Sequence, residues 1–376
     1  MIYFDNSATT YPKPQNVIYA VNKAMNNYSF NSGRGGYKES VNTSNMIFNT
    51  REKVADLFNF EPQNIAFTQN CTVALNFAIK GLAKQGDHFI ISNLEHNAVA
   101  RPIYMLSKKG IITYDIFEFS YDEEETLKNI KKLIKQNTKA IVCMHASNVF
   151  GCVLPIEKIG KLAKENGLYF IVDAAQSAGI LNIDAKMDNI DILCAPGHKG
   201  LYAPMGTGFI ALGDNVKLDT LIDGGTGTLS MQLLQPELMP ERLESGTLNN
   251  IGICGLGAGI DFVNNKGVNN IYKHENSVVS FLYEQIKKND NITLYTPPFS
   301  DVFQAPILSF NFKDYPSEKT ASLLSQKNIA TRAGFHCSKL AHTSFNTDDR
   351  GTVRLSPSVF TSFAECEKII NTLKKL

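Results

Sequence analysis

The middle of the chain alternates short, almost continuously apolar runs with segments of helical periodicity, the pattern of a parallel sheet covered by crossover helices. Five runs read as strands: NIAFTQ (64–69), DHFIISN (87–93), KAIVCMHAS (139–147), LYFIVDAA (168–175) and DILCAP (191–196). Strands buried on both faces read this way, because neither row of side chains meets water. Between two of them PIEKIGKLAKENG opens at Pro155, repeats apolar residues at 156, 159, 162 and 163, and stops at Gly167. It predicts the helix of a βαβ unit. GTGFIALG (206–213) predicts a further strand. Beyond about residue 260, SVVSFLYEQIKKND (277–290) predicts an amphipathic helix and APILSFNF (305–312) a strand, the marks of a smaller α+β domain. No repeat, low-complexity tract or long polar linker separates the two parts, so they should pack closely and share a cleft. In open α/β sheets such a cleft lies beyond the carboxyl ends of the strands.

Composition narrows the partners. The 376 residues are 43% hydrophobic, enough to fill more than one core, and 37 basic against 36 acidic residues leave a net charge of +1. That balance favours neither nucleic acid nor an anionic membrane as partner. The start, MIYFDNSATT, has no basic or apolar leader pattern, and no apolar run reaches the ~18 residues of a membrane span. A cytoplasmic protein is expected. Seven cysteines without a C-x-x-C pair predict reduced thiols, and seven histidines without H-E-x-x-H spacing predict no metal.

Unusual residues collect at strand ends. FIVDAAQSAG carries Asp173 and Gln176, and DILCAPGHKG carries His198 and Lys199. Each alone reads as an ion-pair or loop residue. Together they fit a pyridoxal phosphate site, where a carboxylate keeps the pyridine nitrogen protonated and a lysine forms the Schiff base. In FTQNCTVALNFAIKGLAK a strand leads into a helix, placing Asn70, Cys71 and Thr72 at an N-terminus able to bind a phosphate. Capping alone would also explain Asn70 or Thr72. DGGTGT (223–228) reads as a plain turn. In AGFHCSKLAH, Cys337 is either a buried thiol or a reactive centre.

The succession YFDNSATT, SNLEHNAV, HASNVFG, VDAAQSAG, GHKG, RLESGTLN, RAGFHC and GTVRLSPSVF, spanning residues 1 to 360, resembles the cysteine desulfurase and selenocysteine lyase branch of the class V, fold-type I pyridoxal phosphate enzymes. The resemblance implies an α/β fold with a large cofactor-binding domain (16–259) and a small domain (1–15 and 260–376). It implies that Lys199 is the Schiff-base lysine, Asp173 the pyridinium partner, Gln176 a partner of the ring phenolate, and that His96 stacks on the ring and moves protons. Asn148 would lie near the ring oxygen and the substrate carboxylate, Arg354 would clamp that carboxylate, and Cys337 would take the sulfur as a persulfide. Cys71, Thr72 and His198 would serve the cofactor, and Thr247 would reach the phosphate of a neighbouring subunit, which implies a homodimer. Pro196 and Cys71 stand where many relatives carry hydroxyl side chains, removing two groups that could bind phosphate. The substrate would be L-cysteine or selenocysteine, and the sulfur acceptor a protein or a small thiol. The alternatives are a selenocysteine lyase, another class V aminotransferase or β-elimination lyase with an incidental Cys337, and a non-catalytic partner-binding relative, against which Lys199 and Asp173 argue.

Overall fold

The computed structural model of the chain describes residues 1–32 and 35–376. Its main sheet has seven strands in the order Ile65–Thr68, Gly208–Leu212, Ile192–Pro196, Tyr169–Asp173, Thr138–Met144, Asp87–Ser92 and Ile112–Phe117. Neighbours are parallel except around Gly208–Leu212, which runs against both of its partners. The sheet is covered on both faces, and successive residues feed opposite cores: Ile141 and Cys143 enter one cluster, Ala140 and Val142 the other. Ile112–Phe117, absent from the sequence expectation, is the edge strand, and its centre is only partly buried. Water on one side interrupts the apolar run that marks its neighbours.

The predicted βαβ helix forms over Ile156–Glu165, with Ile156, Ile159, Leu162 and Ala163 buried and Gly167 left-handed just beyond its end. The second sheet is antiparallel, in the order Arg332–Gly334, Thr352–Leu355, Leu308–Phe312 and Ile292–Leu294. The amphipathic helix beside it spans Val268–Ile286, so it begins nine residues before its apolar stretch and stops short of the polar KKND end. Its first turns carry only Ile271 and Glu275 inward, too few to show as periodicity. No helix among the described residues is long and apolar enough to cross a membrane.

The N-terminal segment bridges the two sheets. Ile2–Tyr3 pairs in parallel with Ile329–Ala330, and Asn6 Nδ2 donates to Ser356 O at 3.0 Å. A few residues later Thr10 reaches the turn after Ile192–Pro196. A second link joins that turn to the helix Val268–Ile286: Tyr202 donates its hydroxyl to Glu275 Oε1 at 3.3 Å, in a place where both are buried.

Burial pushes the Glu275 carboxyl up to about 8, so it is protonated in the folded protein at neutral pH. An unfolded glutamate titrates near ~4.3, so this stabilising share is whole below that value and is lost as pH rises through the folded one. Glu275→Gln keeps an acceptor for Tyr202 but has no proton to lose. Its melting temperature relative to wild type is expected to rise steadily from about pH 5 to about pH 9; parallel curves in a calorimetric pH series would refute the titration.

Candidate active site

Six strands of the main sheet run in one direction, and a cavity lies beyond the carboxyl ends of five of them. Ile65–Thr68 leads to Asn70, Cys71 and Thr72; Asp87–Ser92 to His96; Thr138–Met144 to Asn148; Tyr169–Asp173 to Asp173 and Gln176; Ile192–Pro196 to His198 and Lys199. All of these residues line the one cavity. The turn bearing Lys199 packs tightly on the turn after Asp173. A Cβ at Gly200 would stand 2.3 Å from Ala178 O, so only glycine allows that approach.

Asp173 is the buried charge at the floor. Its Oδ1 accepts from the Ala175 N–H (2.9 Å) and the Cys71 thiol (3.4 Å). Burial pushes the carboxyl up, while the Ala175 N–H, the Lys199 charge and the thiol draw it back down. Lys199 shows the mirror image: burial lowers its amine and Asp173 raises it. Cys71 faces two ways, its N–H at the open end of the helix and its thiol elsewhere. At the first helical position its side chain turns back to the sheet, and its sulfur meets Asp173 instead.

The other end of the cavity is built for an anion. The helix Cys71–Leu82 is capped by Asn70, whose side chain accepts from the Val73 N–H. The Cys71 and Thr72 N–H groups have no protein acceptor among the described residues, and they carry the positive end of the helix dipole. His198 lines the same cavity, its Nδ1 buried without a partner. The His198 carbonyl accepts from the Thr10 N–H, the Thr9 and Thr10 hydroxyls and the Lys13 amine (3.0 Å), which fixes the peptide before Lys199.

His96 caps the helix Asn97–Lys108, its Nδ1 accepting from the Ala98 N–H at 3.0 Å. That bond places the ring proton on Nε2. Burial first, then Lys199, Arg332, Arg101 and Arg354, lower its pKa to about 4. Burial, Lys199 and Lys13 do the same to His198, also to about 4. Both rings are neutral at physiological pH.

Cys337, Arg354 and Thr247 do not line the cavity. Cys337 is exposed on a loop next to it, its carbonyl accepting from the Asn97 N–H at 2.8 Å. Arg354 is buried and donates through Nη1 to Asn148 O (2.7 Å) and through Nη2 to Asp5 Oδ1 (2.7 Å), while its Nε has no partner. Asn148 contributes its backbone carbonyl to that arginine, and its side chain is committed elsewhere: Nδ2 donates to His336 O and Oδ1 accepts from Ser338. Thr247 lies apart, exposed at a separate cleft with Thr68, Gln69 and Gly206. The sequence reading passed over Arg332, which pairs across the strands with Arg354. Two guanidiniums side by side repel unless an anion joins them, and the R-x-G-x-H-C stretch already displayed the second one. Asp5 was missed as well, since nothing local ties it to residue 354.

The sequence matches the model of the Aminotransferase class-V family over residues 2–369. A probable cysteine desulfurase of Methanothermobacter thermautotrophicus is 31% identical across 100% of this chain and 94% of its own length. Another, from Pyrococcus abyssi, is 34% identical with the same coverage, 100% and 94%. Among solved structures, an apo cysteine desulfurase from Thermococcus onnurineus NA1 aligns with a TM-score of 0.91 and 30% identity over 100% of this chain and 94% of that one. A cysteine desulfurase from Escherichia coli shares the fold at a TM-score of 0.87 and 22% identity, covering 99% and 94%.

In a nitrogen-resolved NMR titration the His96 ring is expected to stay neutral, protonated at Nε2, until the pH falls to about 4. A midpoint near the ~6.5 of a free imidazole would show that the buried cap geometry is wrong.

Proposed function

Because the chain belongs to the class-V aminotransferase family, whose members depend on pyridoxal phosphate, we propose that it is a cysteine desulfurase that converts L-cysteine to L-alanine and receives the sulfur on Cys337. The cavity fits the cofactor end to end. Asp173 offers a buried carboxylate for a protonated ring nitrogen, the Cys71 and Thr72 N–H groups with His198 offer donors for a phosphate, and Lys199 lines the same cavity as an amine with no hydrogen-bond partner among the described residues. When bound, the cofactor supplies an electron-withdrawing ring that weakens the bonds at the substrate's Cα and, in turn, its Cβ–Sγ bond.

The protein's own groups do the rest. Lys199, its amine lowered by burial, removes the Cα proton. His96 presents a neutral ring with its Nε2 proton available, and the positive charge of Lys199 favours the ionised form of Asp173 against its burial. Arg354 and Arg332 hold the substrate carboxylate, the bidentate guanidinium being suited to that shape. The Cys337 thiolate attacks the substrate Sγ, an S–S bond forms, the Cβ–Sγ electron pair stays with the carbon, and that carbon takes a proton to give alanine. The enzyme is left with a Cys337 persulfide for an acceptor protein or small thiol.

The observation that carries the proposal is the placement of Cys337. Of the seven cysteines, Cys254 is half-buried, five others are buried, and Cys337 is exposed on a loop bonded to Asn97, next to His96, and to Asn148 of the lysine–aspartate cavity. With L-cysteine as substrate, Cys337→Ala is expected to keep the colour and melting temperature of the wild type and to lose alanine formation by on the order of a hundredfold or more. Alanine at the wild-type rate would leave an aminotransferase or elimination reaction in its place.

A dimer completes the proposal. The segment after the main sheet exposes Leu229, Met231, Leu233, Leu234 and Leu238, with Leu233 fully in solvent. An apolar row of this kind on a single chain marks a protein interface, and Thr247 stands close by in sequence, outside its own chain's cavity. Sedimentation is expected to give a dimer at micromolar concentration, and Leu233→Asp with Leu234→Asp a monomer of reduced cofactor affinity. A wild-type monomer with full cofactor occupancy would contradict the shared site.

A further inference from the structure

Two adjacent residues of the nucleophile loop, His336 (φ 46°) and Cys337 (φ 59°), have left-handed backbone. There an L side chain crowds the carbonyl that follows it, so the loop keeps one shape only where its surroundings over-determine it. The surroundings are specific. Besides the Asn97 bond to Cys337 O, Asn148 Nδ2 donates to His336 O at 2.8 Å and the Ser338 N–H to Phe335 O at 2.9 Å. The Ser338 hydroxyl donates to Asn148 Oδ1 at 2.7 Å. The His336 carbonyl can only accept, so the Asn148 amide must turn Nδ2 toward it. Oδ1 then faces Ser338, which must donate. Both side chains are buried, Ser338 completely.

A simpler account of Ser338 exists, since it precedes the short helix Lys339–Ser344 and serine is a common helix cap. Its hydroxyl, however, accepts no N–H of that helix. It points at Asn148, whose backbone carbonyl holds Arg354. One residue thus joins the nucleophile loop to the arginine, gripping the loop on both sides of Cys337.

We propose, on the basis of the desulfurase reading, that Ser338 is a positioning residue for sulfur transfer: through Asn148 it locks the Cys337 loop in register with the substrate held by Arg354. It touches no reacting atom. Without its hydroxyl, Asn148 Oδ1 is buried with no donor, the amide is free to turn, and the loop loses its single shape. An error of about an ångström in a nucleophile's position can cost about a hundredfold in rate.

The test compares wild-type holoenzyme with Ser338→Ala, Ser338→Thr and Cys337→Ala. Amide hydrogen exchange in peptides covering residues 333–345 reads the loop, and steady-state kinetics with L-cysteine read its use. Ser338→Ala is expected to exchange about tenfold faster in that segment alone and to lose about tenfold or more in kcat, with KM and cofactor absorbance little changed. Ser338→Thr, which keeps the hydroxyl, is expected to recover both. Wild-type exchange in Ser338→Ala, or a Ser338→Thr as defective as the alanine variant, would overturn the proposal. So would a loss of kcat that only follows a loss of bound cofactor. Failure of the desulfurase reading shows elsewhere, as wild-type turnover by Cys337→Ala, while the exchange result judges the loop lock by itself.

Discussion

A carboxylate at the end of a strand covered on both faces constrains everything around it. Asp173 is held out of water with one backbone N–H, one thiol and the Lys199 charge as its company, and a buried charge so thinly compensated is costly in a chain that does nothing with it. Asp173 and Lys199 displace each other's protonation equilibria in opposite senses. Each is tolerable because the other is present, and a protonated ring nitrogen, if bound beside Asp173, would give the carboxylate a second positive partner. The two histidines are neutral first because they are buried, and the positive charge of Lys199 adds to this at both, with Arg332, Arg101 and Arg354 acting on His96 and Lys13 on His198.

The same economy governs the link between the sheets. Arg354, on the small sheet, is buried and satisfied by Asp5 and by the carbonyl of Asn148, so three distant parts of the chain meet at one guanidinium. Its unpartnered Nε and its strand neighbour Arg332 keep that meeting place electropositive. The arrangement leaves one guanidinium nitrogen without a partner, which is what the proposed carboxylate clamp needs.

What could be read in the sequence was what depends on local pattern. The doubly buried strands, the helix at 156–165 and the polar residues at strand ends were all visible because burial on two faces erases alternation. The edge strand Ile112–Phe117 was not, because half of it meets water. The helix Asn250–Lys266 escaped for another reason: its glycines oppose helix formation locally, yet a Cβ at Gly259 would stand 2.1 Å from Leu201 O, so packing demands what propensity disfavours. Site residues on strand ends converged on one cavity as motif order suggested. The Asn148–Ser338 bond and the Arg354–Asp5 pair join residues far apart in the chain, and no local pattern could announce them.

The strand Ile2–Tyr3 has its partner at Ile329–Ala330, and this pairing has a consequence for the order of events during synthesis. Ile2 and Tyr3 cannot take up this pairing until Ile329 and Ala330 have been made. Thr9, Thr10 and Lys13, which fix the peptide before Lys199, follow that strand directly in the chain, so the pairing at Ile329–Ala330 helps to anchor the segment that carries them. Pairings of such long sequence separation form late. The geometry of the lysine turn therefore depends on a pairing that spans most of the two sheets' sequence, and it is set late rather than by local structure.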